Sequence, residues 1–318
     1  MADQTLNTLN LTSVIAPEIQ NAFNRKAPIS GLIQSKVGFN TVGPNWTVGT
    51  AGHAATTFAE GASAPSAASD GQVPAQIAWG NYNSAFTVSD HAQRNSKMSP
   101  DPRVNLDVFK KNILGAASAI AKKVETDFFT GSGSNSIIGL DNAIDNANTY
   151  AGINRASAAY WRSTVVDAEA ASLTKDQLLS DISSIRTTSG ESPNVAFCTP
   201  STFNKVAALF ESQRRYLGAD VKLGITGPAG SPVIDVYGTQ FIQSAGDGTD
   251  DVIYYCNTDH MHFEIVPWLD DVTGQSMSDG VGFVKLAKTG HNSDAMLRLQ
   301  VQLVLDNPFS FGKRVNIG

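Results

Sequence analysis

The sequence predicts an α+β chain in which one long amphipathic helix and a closing β-hairpin frame a smaller unit of alternating helices and strands. Three observations carry this. In "RVNLDVFKKNILGAASAIAKKVETDFFTG" the residues Leu106, Phe109, Ile113, Ala117, Ile120, Val124 and Phe128 step by three or four. That is one face of a helix of about 24 residues, on the order of 36 Å long. In "MLRLQVQLVLDNP" Leu297, Leu299, Val301, Leu303 and Leu305 share one face, and Arg298, Gln300 and Gln302 the other. Period two is the mark of a half-buried antiparallel strand. Between them, from 150 to 258, helical and strand-like runs alternate with Gly and Asp turns.

The chain has 318 residues, 42% hydrophobic, enough for a sizeable core. Only 16% are charged, against a usual quarter. A sparsely charged surface suits a subunit that packs against copies of itself. The net charge of −6 argues against nucleic-acid binding through a broad basic face. Cys198 and Cys256 sit in apolar strand-like runs and are expected to be buried free thiols, a disulfide being the alternative. "MADQTLNTLN" has neither the basic start nor the apolar core of a signal peptide. No apolar run approaches the length of a membrane span.

Taken in order, residues 1–37 read as an arm: Ile15, Ile19 and Phe23 lie four apart on one face of a short helix that ends before Pro28. Residues 38–92 read as a finger. Its middle, within "FAEGASAPSAASDGQVPAQIAWG", is nearly all Ala, Ser, Gly and Pro, and the strand-like segments "NWTVGT" and "QIAWGNYNSAFTVSD" flank it. Residues 93–149 hold the long helix, stopped by Gly131, and a Gly- and Asn-rich connection expected to be irregular and flexible. In 150–258, "TKDQLLSDISSIRTTSG" has a Thr174/Gln177 capping box and Gly190 as its stop. "NVAFCT", "VIDVYG", "TQFIQS" and "DVIYYCN" read as strands, and "PSTFNKVAALFESQRR" as a helix. Residues 259–318 are nearly all β, with "HNSDA" as a polar tip. No internal repeat is present.

Chemical motifs fail one after another. "GSGSNSIIG" lacks the third Gly of a dinucleotide fingerprint and follows a helix instead of a strand. "GASAP" has Pro65 where a nucleophile elbow needs Gly. In "DNAIDNAN" Ala143 breaks the calcium-loop pattern. The remaining candidate is "DHMHFE": on a continuous strand His260, His262 and Glu264 point the same way, a face that can ligate a metal. Its bland counterpart is a polar strand face at a subunit edge, and nothing here rises to an enzyme or a cofactor site.

The order of elements, with "FAEGASAP", "ETDFFTGSGSNSIIGLDNAI", "YAGINRASAAYWRS", "NVAFCTPSTFNKVAALFESQRRY", "VYGTQFI" and "IYYCNTDHMHFEIVPW", resembles the major capsid proteins of tailed bacteriophages, the Hong Kong 97 type of fold. The resemblance implies a structural protein, not an enzyme. It would self-assemble through pentamers and hexamers into an icosahedral head enclosing double-stranded DNA, in the virion after assembly in the host cytoplasm. It makes 38–92 an extended loop reaching over a neighbour, the long helix the spine of a peripheral domain, 150–258 an axial domain, and 259–318 peripheral strands and C-terminus. It points to Ile19, Phe23, Phe58, Glu60, Gly61, Trp79, His291 and Asn292 as assembly contacts. Phe58, Trp79, Tyr82 and Phe86 can equally belong to the subunit's own core. A separate scaffolding protein or none, a portal and a decoration protein are the implied partners. DNA is held without sequence-specific contact, and no membrane is involved. Some relatives join a loop lysine to a neighbour's asparagine; Val37 to Asn95 contains no lysine, so that link is expected to be missing. Two other readings stay open: an encapsulin-like bacterial nanocompartment shell, and a metal-dependent hydrolase using His260, His262 and Glu264.

Overall fold

A computed structural model describes residues 33–38, 40, 42–50, 71–92, 94, 108–169, 171–214, 233–244, 248–269, 276–278, 281–286 and 291–318. Its strands are β1 Gln34–Val37, β2 Asn45–Gly49, β3 Gln72–Gln76, β4 Gly80–Ser89, β5 Thr149–Tyr150, β6 Ile153–Asn154, β7 Thr164–Asp167, β8 Val195–Cys198 and β9 Val233–Val236. There follow β10 Thr239–Gln243, β11 Ile253–Cys256, β12 Met261–Ile265, β13 Trp268–Leu269, β14 Ser276–Ser278, β15 Val281–Lys285, β16 Asn292–Leu305 and β17 Gly312–Val315. The helices are α1 Val108–Thr130, α2 Leu140–Ala143, α3 Lys175–Ser189 and α4 Pro200–Arg214.

The long strand β16 organises the first sheet. One edge pairs antiparallel with β4 over Asn292–Val301. The other pairs with β15 over Ala295–Leu299 and with β12 over Val301–Leu305, and β1 lies parallel outside β12. The predicted alternation holds: Leu297, Leu299, Val301, Leu303 and Leu305 are buried, and they share a core with Tyr82 and with Ile113, Ala117, Ile120, Val124 and Phe128 of α1. Tyr82 OH fastens the sheet to the helix by donating to Asp127 Oδ2 at 2.9 Å.

The second sheet runs β7-β17-β11-β8-β10-β9. Its residues alternate between two cores. Ala196, Cys198, Phe241, Ile253 and Tyr255 face Leu178, Ile182 and Ile185 of α3 and Phe203 and Val206 of α4. Phe197, Ile242, Tyr254 and Cys256 face the other way, into the core of the first sheet. Burial on both faces explains why "VAFC" and "IYYC" read as unbroken apolar runs. The C-terminal end of α1 supplies the contact, with the Phe128 and Phe129 rings 5.7 and 6.4 Å from Phe197, near edge-to-face.

Three expectations need correction. The finger's base strands are β2 and β3, whereas "NYNSAFTVS" pairs with β16, where Tyr82 of β4 is buried in the core shared with α1. The last strand, β17, lies between β7 and β11 in the second sheet, not with the strands of 259–265. The connection after α1 is fixed, not flexible: Gly131 N–H donates to Asp127 O and Gly139 N–H to Gly131 O, at 2.8 and 2.9 Å. A Cβ at Gly139 would fall 2.5 Å from both Asp127 O and Gly131 N, so only glycine allows this approach. The capping box at Thr174 and the left-handed stop at Gly190 form as the sequence predicts.

Candidate functional site

The finger is built from its base upward. Ile77 N–H donates to Pro44 O at 3.0 Å and Thr50 N–H to Gly71 O at 2.8 Å. These two bonds set the alternation along the ladder and put Pro74, opposite Thr47, where no ladder donor is required. Ala75 is fully buried, and Trp46, Val48 and Val73 pack against the same core, with the Trp46 ring 6.4 Å from that of Trp161. Thr50 and Gly71 are the last described pair, and residues 51–70 lie outside the described residues. These twenty residues are flanked by a hydrogen-bonded pair, so the segment leaves and returns at neighbouring points.

The surface under this base is held by buried hydrogen bonds. Arg155 is fully buried; its Nε donates to Trp161 O at 3.0 Å, another of its nitrogens to Ala143 O, and its guanidinium lies 4.9 Å from the Tyr150 ring centroid. Burial draws its pKa down to about 10. Tyr150 OH accepts from Leu305 N–H, and Gln76 N–H donates to Ala151 O. Gln302, also fully buried, accepts from Ile138 N–H and donates to Ala78 O. Neither Arg155 nor Gln302 stands out in the sequence: an isolated Arg in a Gly/Asn-rich run carries no periodicity, and Gln302 reads as one more polar residue on the outer face of β16.

The structure distributes the expected contact residues unevenly. Ile19, Phe23, Phe58, Glu60 and Gly61 lie outside the described residues. Trp79 is 7% exposed and donates from Nε1 to Asn40 O at 2.8 Å, so its ring packs within the subunit, the second of the two places the sequence allows it. Tyr82 is likewise interior, and Phe86 packs partly buried against the core. His291 and Asn292 are exposed, but Asn292 already opens β16, opposite Ser89, so "HNSDA" is mostly strand, not tip.

The proposed metal face is split. His260 closes a turn of 3₁₀ helix before β12, where Nε2 lies 2.9 Å from Glu191 Oε2 and Nδ1 3.2 Å from Asp306 Oδ1. His262 is buried and meets Glu264 Oε1 at 3.5 Å. Its pKa is lowered, by burial first and then by Lys36 on the neighbouring β1, against the pull of Asp306 and Glu264. Among the described residues no group of three His, Cys, Asp or Glu side chains is arranged to hold a metal ion. Cys198 and Cys256 are both free and buried; burial pushes the Cys198 thiol up to about 12 and the Cys256 thiol higher still. No helix among the described residues is long and apolar enough to cross a membrane.

What these surfaces serve follows from the comparisons. The fold is similar to the cyanophage A-1(L) capsid subunit at a TM-score of 0.69, with 17% identity over 92% of this chain and 93% of that one. Mycobacterium phage Bobi gives a TM-score of 0.59 at 12% identity, covering 91% and 90%. The SrpI encapsulin of Synechococcus elongatus also gives 0.59, at 13% identity over 90% and 86%. These likenesses show the fold, which phage capsids and an encapsulin share. No curated protein sequence matches significantly. A sequence profile described as the SU10 major capsid protein matches residues 2–318, nearly the whole chain. The chain therefore belongs to the SU10 major capsid protein family, with a Hong Kong 97-type fold and a structural role as a capsid shell subunit that assembles with its own copies.

Proposed function

We propose that this subunit forms an icosahedral phage head around double-stranded DNA, through pentamers and hexamers, with residues 51–70 reaching over a neighbouring copy. The observation that carries the loop's role is the closed base of the finger. Because Thr50 and Gly71 are hydrogen-bonded, the twenty residues between them leave and return at one point. A two-stranded ribbon is marginal alone and needs a surface to lie on. In this reading 1–37 is an arm and 38–79 the extended loop with its base. Strand β4, residues 93–149 and the strands of 259–306 form a peripheral domain, and 150–258, completed by β17, an axial domain. Phe58, Glu60, Gly61, Ile19, Phe23, His291 and Asn292 are the proposed contacts with neighbours. The protein is not an enzyme. Assembly takes place in the host cytoplasm, with a separate scaffold or none, a portal, and a decoration protein as possible partners.

Negative-stain electron microscopy of the expressed chain tests this directly. Closed shells of uniform size are expected. Particles that enclose a co-purifying cargo enzyme would make the chain a nanocompartment shell, and chains that never form shells, with or without scaffold, would overturn the reading.

A further inference from the structure

The hairpin of β9 and β10 turns on two residues, Tyr237 and Gly238, closed by the pair Val236 and Thr239. Both central residues have positive φ, 55° at Tyr237 and 84° at Gly238. This is the pattern of a type I′ turn, the two-residue connection that suits strand twist. Glycine adopts the second position freely. At the first, Asn, Asp or Gly is favoured, and a bulky residue in the left-handed region is an outlier. The turn is held firmly, since Asp235 Oδ1 accepts from Gly238 N–H at 3.0 Å. Yet the ring so presented is 61% exposed and gains little burial within its own subunit. The other exposed large apolar side chains among the described residues, Val37, Val42 and Leu179, are aliphatic and none has a left-handed backbone.

The subunit's own fold would be served as well or better by asparagine at this position. The benefit of tyrosine therefore lies outside the subunit. We propose that Tyr237 is an anchor of the contact between neighbouring copies, its ring buried against a second copy of this chain. The proposal rests on the shell-building reading, which supplies the partner: every copy presents the same turn to the copies packed around it. Tyrosine is among the residues that dominate interface energies, because it brings large contact area at low entropic cost. A turn fixed between two paired strands adds preorganisation, which association then need not supply.

The test compares wild type with Tyr237→Asn and Tyr237→Phe. Unassembled Tyr237→Asn should melt at or above the wild-type temperature, because the turn is relieved of strain. Its critical concentration for shell assembly, read by sedimentation velocity, should rise about tenfold or more. Tyr237→Phe keeps the ring and should assemble much as wild type does. Equal critical concentrations for Tyr237→Asn and wild type would overturn the proposal. So would a Tyr237→Asn subunit that melts well below wild type, since the ring would then be holding its own fold. If wild type itself forms no shells under these conditions, the shell-building reading fails, and this inference with it.

Discussion

Arg314 meets Asp181 at two points, 2.6 and 2.7 Å, with both side chains almost wholly buried, and Tyr255 OH donates to the same carboxylate at 3.0 Å. The pair ties β17 to α3. Removing one member leaves an uncompensated buried charge, so Arg314→Met should destabilise the unassembled subunit by about 3–5 kcal/mol in urea unfolding. Arg314→Met with Asp181→Leu should recover much of that loss. His262 gives a different signal. Its folded pKa lies below the ordinary 6.5, chiefly because burial disfavours the imidazolium. The unfolded chain therefore takes up the proton first as pH falls, and stability declines with acid from about 6.5 downward. Thermal melts from pH 7.5 to 5 should show a steeper decline for wild type than for His262→Gln; matching slopes would mean that His262 titrates as it does in the unfolded chain. Neither effect is visible in sequence, where 133 positions separate Arg314 from Asp181 and His262 stands out only as part of a candidate metal face, with nothing to mark its burial.

At the scale of elements, the base of the finger gives a design prediction. Thr50 and Gly71 are already a bonded pair, so Asn-Gly in place of residues 51–70 should close β2 and β3 as a tight hairpin. Cutting further, into Val73 and Ala75, would remove core. The shortened subunit should keep its circular dichroism and melting temperature, while sedimentation velocity should show no closed particles. Normal shells would mean that the loop is not an assembly element. How legible these elements were depended on how local their causes are. The spine helix, the period-two face of β16, the capping box at Thr174 and the stop at Gly190 are set by neighbours a few residues apart, and the sequence displays them. β17 in "GKRV" has no alternation of its own and is a strand only because β7 and β11 leave a gap for it. The pairing of β4 with β16 joins segments some 210 residues apart, and no local pattern announces it. Of the expected contact residues, Trp79 was open to two readings, because a tryptophan at the base of a loop looks the same whether it faces a neighbour or fills its own core.

For the whole molecule, the scarcity of lysine in the finger bears on the mature shell. With none from Val37 to Asn95, shells should come apart in hot denaturant to 33.7 kDa chains, and ladders of covalent oligomers under reducing conditions would contradict this. The two sheets also share one core, in which Phe128 and Phe129 at the end of α1 lie against Phe197, so neither sheet is finished without the other. The position of β17 then sets a clock. Chains are made from the N-terminus, and β17 is translated after every strand it must join. While the ribosome still holds residues 312–315, β7 and β11 have no strand between them, and the second sheet, with the surfaces it would present to other copies, is incomplete. A nascent chain on a polysome, however crowded by its siblings, therefore lacks a finished second sheet until residues 312–315 have left the ribosome.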